Sequence, residues 1–414
     1  MDEMETKQVN GACTIVSPNY LPYARTLATS YIEHHPGDLF SVLLVADIHD
    51  KTLFDQEPFN VVFLDEIGLT NISTLAMKYD ILELNTNVKP TFMKFLLRQA
   101  YLEKLIYLDP DIRVYCPLLE IYDLLESNNV VLTPHITSPI PSNNVPSEQE
   151  FLQSGTYNLG FIAVRRGATT DALLNWWEAR CLEQGFNERR TGLFVDQKWI
   201  NLAPVLFDGV AQCKHPGCNM AYWNLHERIL NKAGVRHLVN GTYDLCFYHF
   251  SGVVVDDSKS LSKYTDSYTL ESRPDLSGIF DDYKREVIRH RSVSTDDIPY
   301  GFDHFTDGTA VTRLARRIYA AHENQFSGDP FIQNGPFYTF AYSRKLIKST
   351  QPGKGEGLRD FNPKDKRVQA VNRLLSMALS ILGPYRYELL MMYIAHIAIL
   401  RNQGVIISNG RKTY

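Results

Sequence analysis

Short apolar runs alternate with stretches of helical spacing along the first 250 or so residues. Residues 12–17 (ACTIVS) read as a buried strand. Pro22 then falls in the first turn of a helix whose Tyr23, Leu27 and Tyr31 share one face, and Gly37 ends it. Two further runs, FSVLLVAD (40–47) and NVVFLDE (60–66), close on acidic residues. The spacing predicts a helix over 91–102, a strand over 104–108 (KLIYL), apolar runs at 130–135 and 157–166, and a Trp-containing helix over 171–184. Strands separated by helical lengths imply crossover units, so the expected fold class is α/β with a mostly parallel sheet.

The pattern changes near residue 258. Residues 258–300 are charged, Tyr-rich and loop-like, and mixed helical patterns follow. The segment 350–366, with three Gly, two Pro and many charges, reads as a flexible linker. Two domains are therefore expected: a catalytic domain over 1–260 and a mostly helical C-terminal extension over 261–414. In the extension, Val368, Val371, Leu374, Leu375, Ala378 and Leu382 form an apolar helical face, while Pro384, Arg386 and Glu388 break the run before it reaches membrane-spanning length. That face suits packing on the first domain, a homodimer, or peripheral membrane contact.

A chain of 414 residues with 44% hydrophobic and 21% charged residues can bury one large core or two modest ones. Its formal net charge of −5 gives no bulk reason to bind nucleic acid, so any anion must be held by a local device. The polar, acidic start (MDEMETKQVNGA) is wrong for a signal peptide, and a cytoplasmic location is expected, with the inner membrane face within reach of the helical extension. Six scattered cysteines read as reduced, packed thiols. Cys213, His215 and Cys218 supply three of the four ligands zinc takes, but their spacer is long and no second pair is nearby, so packing is the expectation there too.

Chemistry concentrates at strand ends. Asp109 and Asp111 flank a proline directly after the strand at 104–108, so both carboxylates face one side of an extended segment. Ligands gather at the carboxyl ends of strands in open α/β sheets, and hard oxygens suit Mg²⁺ or Mn²⁺ bridging phosphates. In CFYHFSG (246–252), His249 adds an imidazole that favours Mn²⁺ over Ca²⁺, and Gly252 lets backbone approach a phosphate. Lys78, Lys89 and Lys94 precede the strand, and sequence does not distinguish which of them would touch a donor.

The order YLDPDIRV, TYNLGFIAVRR, FVDQKWINLAP, FYHFSG resembles the nucleotide-sugar transferases of the GT-A fold, especially glycosyltransferase family 8, and bacterial polysaccharide glycosyltransferases. The resemblance covers roughly residues 12–260 and implies a Rossmann-like, mixed sheet flanked by helices. Carried over, it makes Asp109, Asp111 and His249 the metal ligands that hold the donor diphosphate with Mn²⁺ or Mg²⁺. Asn158 becomes a sugar or acceptor contact. Asp196 grips sugar hydroxyls and Gln197 faces the reacting centre. Ser17, Asn19 and Tyr20 bind the nucleoside. The Lys-Pro-Trp that follows His-x-x-Gly in the family is absent, and its Asn-Ser-Gly or Asn-Ala-Gly is Asn158-Leu159-Gly160. The implied activity is transfer of a hexose from a UDP-sugar to a carbohydrate or lipid-linked glycan acceptor in surface polysaccharide biosynthesis, with retention favoured. A sugar-phosphate nucleotidyltransferase would open on a Gly-rich loop, and SPNYLPYART has no glycine. A non-catalytic sugar-binding scaffold is the third reading; the intact polar set argues against it.

Overall fold

The first strand, β1 (Val9–Val16), is buried from Gly11 onward, and the residues that bury it are the small and β-branched ones of the ACTIV run. With β2 (Leu39–Leu44), β3 (Asn60–Phe63), β4 (Leu102–Leu108), a short β5 (Ile112–Val114), β6 (Val130–Pro134), β7 (Tyr157–Arg165), β8 (Val210–Gln212) and β9 (Phe247–His249) it makes two sheets. The computed structural model describes residues 9–99, 101–141, 144–257, 259–347 and 366–404. The main sheet has seven strands in the order β8-β6-β7-β4-β1-β2-β3. Every neighbouring pair is parallel except the two made by β7, which runs against β4 and β6. This is the mixed, mostly parallel sheet expected from the strand and helix spacing. β5 and β9 form a separate antiparallel ribbon.

Parallel neighbours need a crossover, and the helix Leu21–His34 supplies the one between β1 and β2. Its Leu21, Ala24, Leu27, Ala28 and Tyr31 are buried in the same core as Val42, Leu44, Ile106 and Leu108. The helix expected over 91–102 starts and ends earlier, at Lys89–Leu97. Leu102 opens β4 instead, paired with Val9.

The chain divides into two compact units, one of residues 1–72 and 81–301, the other of residues 73–80 and 302–414. The first unit runs past residue 260 because the segment read as loop-like contains a helix, Ser277–Arg289. Ile279, Phe280, Tyr283 and Val287 lie on one face of it and join Tyr248 and Phe250 in a second core. In the second unit, Phe305, Tyr319, Phe326, Phe337 and Tyr338 interlock edge to face. Residues 300–308 include a turn in which Asp307 accepts from Thr309 N–H and from Tyr338 Oη.

Lys366–Ile397 is a helix bent at Gly383 before Pro384, and none of its residues is buried. Leu374 and Ile381 are 65% and 78% exposed. Among the described residues no helix is long and apolar enough to cross a membrane. The flexible segment expected at 350–366 falls, but for Lys366, outside the described residues.

Candidate functional site

The chain leaves β4 through Asp109, whose N–H donates to the Gly160 carbonyl of β7 at 2.7 Å. Pro110 and Asp111 turn it into β5, and Ile112 N–H closes that turn on the Asp109 carbonyl at 3.0 Å. On the ribbon, His249 pairs with Ile112, and Phe250 N–H bonds the Asp111 carbonyl at 2.8 Å. These backbone bonds bring His249 Nε2 to 2.9 Å from Asp111 Oδ1 and 3.9 Å from Asp109 Oδ2. One ligand atom from each of the three residues lies within 4.8 Å of the others. The carboxylate side chains are 30% and 23% exposed, the imidazole 4%.

The far side of the imidazole fixes its role. Nδ1 lies 3.1 Å from Asn158 Oδ1, and that oxygen also accepts from Asn219 Nδ2 at 3.3 Å. Asn158 Nδ2 faces His135 Nε2 at 3.5 Å, which orients the amide. An amide oxygen only accepts, so Nδ1 carries a proton and Nε2 is the nitrogen turned to the carboxylates. Burial pulls the His249 pKa down, but Asp111 and Asp109 outweigh it and leave it above the ordinary 6.5. Gly160 lies beside the cluster: a Cβ there would stand 2.4 Å from His249 Cε1 and 2.9 Å from Asp109 Oδ2, so the position admits no side chain.

Of the three lysines before the strand, Lys89 is the one at the site. Lys94 pairs with Glu178, and Lys78 lies 3.7 Å from Glu323. Lys89 is 1% exposed, and its Nζ is 2.6 Å from Asp196 Oδ2 and 3.9 Å from Asp109 Oδ1. It donates to the Leu159 carbonyl at 2.7 Å and sits 4.1 Å from the centre of the Tyr107 ring. The Tyr107 hydroxyl in turn donates to Asp109 Oδ1 at 2.7 Å. Asp196 is 2% exposed; burial raises its pKa above the usual carboxylate range, and Lys89 works against that rise.

Gln197 is spent on the backbone: its Oε1 accepts from Leu159 N–H and its Nε2 donates to the Ser154 carbonyl, both at 3.0 Å. Ser17, Asn19 and Tyr20 follow β1. Ser17 Oγ donates to Asn19 Oδ1 at 2.8 Å, and Tyr20, 43% exposed, stacks on Tyr23 at 4.9 Å. Burial, with Asp111 adding to it, pushes the Tyr20 phenol up to about 12. Gly252 adopts φ +75°, and the approach it permits in the structure is to its own chain, since a Cβ would meet Ser262 Oγ at 2.6 Å.

One polar residue of the cluster, His135, escaped the sequence reading. His135 follows β6 as Asp109 follows β4, a signal of the same kind; burial takes its pKa down to about 4. Asn219, fully buried, is also bonded to Thr133 Oγ1 at 3.0 Å.

No family model matches the chain. It is 27% identical over 291 residues to YfnF of Bacillus subtilis (strain 168), an uncharacterized protein, covering 67% of this chain and 92% of that one. YfnD of the same strain, also uncharacterized, is 26% identical over 230 residues, 53% of this chain and 68% of that protein. Among solved structures it is similar to the galactosyltransferase LgtC in complex with donor and acceptor sugar analogs (TM-score 0.40, 15% identity, 68% of this chain and 97% of that one). It is also similar to GlyE, a glycosyltransferase of Streptococcus pneumoniae TIGR4 (TM-score 0.41, 12% identity, 76% and 73%).

Proposed function

We propose that the protein is a metal-dependent glycosyltransferase of the GT-A kind that moves a hexose from a UDP-sugar to a glycan acceptor, as in building a surface polysaccharide. The observation that carries this reading is the cluster of Asp109, Asp111 and His249, with one ligand atom from each within 4.8 Å of the others, directly after β4. Two hard carboxylates and one borderline imidazole fit Mn²⁺ or Mg²⁺, and the Nδ1–H bond to Asn158 presents Nε2 as a ligand. When bound there, the ion supplies charge neutralisation for a leaving diphosphate.

The chain's own residues do the rest. Asp109 and Asp111 stand partly open, positioned to share an ion with the donor's phosphates, while His249 is held rigidly by its buried neighbours. Lys89 offsets part of the burial that raises the Asp196 pKa, and the proposal gives that carboxylate the hydroxyls of the donor sugar as partners once the donor is bound. Gln197, fastened at both ends, orients the peptide of Leu159 beside that carboxylate. Tyr20 offers a half-exposed ring face to a nucleobase. Transfer with retention is part of the proposal and rests on the resemblance to glycosyltransferase family 8.

The test is thermal unfolding with UDP and UDP-sugars, with and without Mn²⁺. A ligand that binds only the folded chain raises its stability by an amount set by occupancy. Stabilisation by a UDP compound only when Mn²⁺ is present supports the reading. No shift with any nucleotide, on a folded sample, moves the assignment to a non-catalytic scaffold.

A further inference from the structure

The β5–β9 ribbon has a second cluster at its other end. β5 starts beside Asp111 and leads to Cys116, whereas β9 starts after Cys246 and ends on His249. The loop of residues 213–218 docks here: Cys246 N–H and Phe247 N–H both bond the Gly217 carbonyl, at 2.8 and 3.2 Å. A Cβ on Gly217 would lie 1.8 Å from the Asp244 carbonyl oxygen, so only glycine allows this approach.

The approach gathers four of the six cysteines around one histidine. Cys218 Sγ and Cys246 Sγ lie 3.9 and 3.8 Å from His215 Nδ1, and the three ligand atoms are within 4.8 Å of one another. Cys213 neighbours Cys218, and Cys116 neighbours Cys246. Tetrahedral zinc with bonds of about 2.3 Å to sulfur and 2.0 Å to nitrogen sets its ligand atoms about 3.5–3.8 Å apart. The two sulfur–nitrogen distances, 3.9 and 3.8 Å, lie close to that range. The cysteines at its centre are closed to solvent, Cys213, Cys218 and Cys246 being 4%, 2% and 3% exposed.

We propose that this cluster is a structural zinc site, held by His215 Nδ1, the thiolates of Cys218 and Cys246, and a fourth thiolate from Cys213 or Cys116. The surroundings suit it. His215 Nδ1 accepts from Gly217 N–H at 3.2 Å, so it is the unprotonated nitrogen and zinc would replace that bond, while Nε2 on the other side of the ring lies 4.0 Å from Glu120 Oε1, an ion-pair distance longer than a hydrogen bond. A carboxylate behind a ligating histidine is the usual means of orienting it. Three thiolates and an imidazole give zinc a net charge of about −1. Arg228, 2% exposed, sits against the same loop, donating to the Pro216 and Cys218 carbonyls at 2.8 and 2.7 Å. The site would pin the loop to the strand that carries His249, staple and donor site sharing one ribbon.

The test is metal analysis of the whole chain, purified under reducing conditions without chelator. About one zinc per chain is expected, released when a mercurial titrates the thiols. Asp111→Ala should keep it, and His215→Ala and Cys246→Ser should each hold it at least about tenfold less tightly. Of Cys213→Ser and Cys116→Ser, the variant that loses zinc names the fourth ligand. If the Cys246 variant does not fold, His215→Ala and the mercurial release on the unaltered chain still decide the matter. A folded chain that carries no zinc and takes none up from a zinc-buffered solution overturns the proposal. So does zinc that leaves with Asp111→Ala but not with His215→Ala, or a disulfide among these cysteines in the reduced preparation.

Discussion

Asp109 stands between two ionic groupings of opposite character. On one side Lys89 and Asp196, with side chains 2% and 3% exposed, form a sealed pair in which each charge already has its counter-charge. On the other, Asp109 and Asp111 face outward with only an imidazole between them, and no lysine or arginine nitrogen lies within 4 Å of Asp111 among the described residues. The sealed pair is complete as it stands, so its first effect is on the architecture. The open grouping has an excess of negative charge that a cation would satisfy, so its first effect is on ligand. Substitutions on the two sides should therefore fail differently.

The largest effect is expected at Lys89. Lys89→Met strands Asp196 without its partner in a dry place, and breaking a buried pair in this way costs about 3–5 kcal/mol. A lowered urea midpoint would show it, and Lys89→Met with Asp196→Leu should recover most of the loss. Unchanged stability in the single variant would mean that the pair is not sealed and that the contrast is false.

Asp111→Ala should do the reverse. Removing one of the carboxylates that would hold the charge-neutralising cation should lower turnover by about 10²- to 10³-fold. Because the side chain is partly open, the unfolding free energy should change by no more than about 0.5 kcal/mol. Asn158→Ala, measured as the Mn²⁺ concentration for half-maximal activity, is a milder version of the same loss. Its amide orients His249, and outer-shell partners of this kind are worth about 10- to 100-fold in metal affinity.

Which parts of this arrangement could be read in the sequence follows from which depend on local pattern. Asp109, Asp111 and His249 follow or end apolar runs, and the end of a strand is where a site belongs, so order and chemistry pointed to them. Lys89 could not be separated from Lys78 and Lys94, because the choice rests on which helix turn meets β7, a tertiary contact. The closing of Cys246 on Cys213 and Cys218 was invisible for a similar reason: the cysteines meet only through the docking of a loop on a ribbon whose strands lie far apart in the chain. The helix at Ser277–Arg289 was misread because Asp281, Asp282, Lys284, Arg285 and Glu286 mask a good apolar face at Ile279, Phe280, Tyr283 and Val287. There the spacing was correct evidence and the composition was not.

The pH dependence sharpens the contrast further. His249 is raised above its unfolded value of about 6.5, so its pairing with the carboxylates stabilises the metal-free chain fully below that pH and is lost as pH rises through the folded value. A metal ion needs the same nitrogen deprotonated, so Mn²⁺ affinity should climb by about tenfold per pH unit until that value is passed. The thermal shift caused by Mn²⁺ should thus widen from pH 6 to pH 8. A shift independent of pH would remove His249 from the ligand set.

The smallest effect is expected at Tyr20, which touches neither grouping's ions yet lies close enough to Asp111 for the carboxylate to raise its phenol pKa. Its ring is backed by Tyr23 at 4.9 Å and remains 43% exposed, the arrangement of a platform already stiffened before anything stacks on it. An aromatic pair contributes about 0.5–1.5 kcal/mol beyond its buried area, so Tyr20→Ala should weaken UDP binding by roughly three- to tenfold. Tyr20→Phe keeps the ring face and should bind nearly as the unaltered chain does. Loss of UDP affinity in the Phe variant as large as in the Ala variant would mean that the hydroxyl, not the ring, meets the donor. In that case Tyr20 would belong with the polar groups around Asp111 and not with a base-stacking platform.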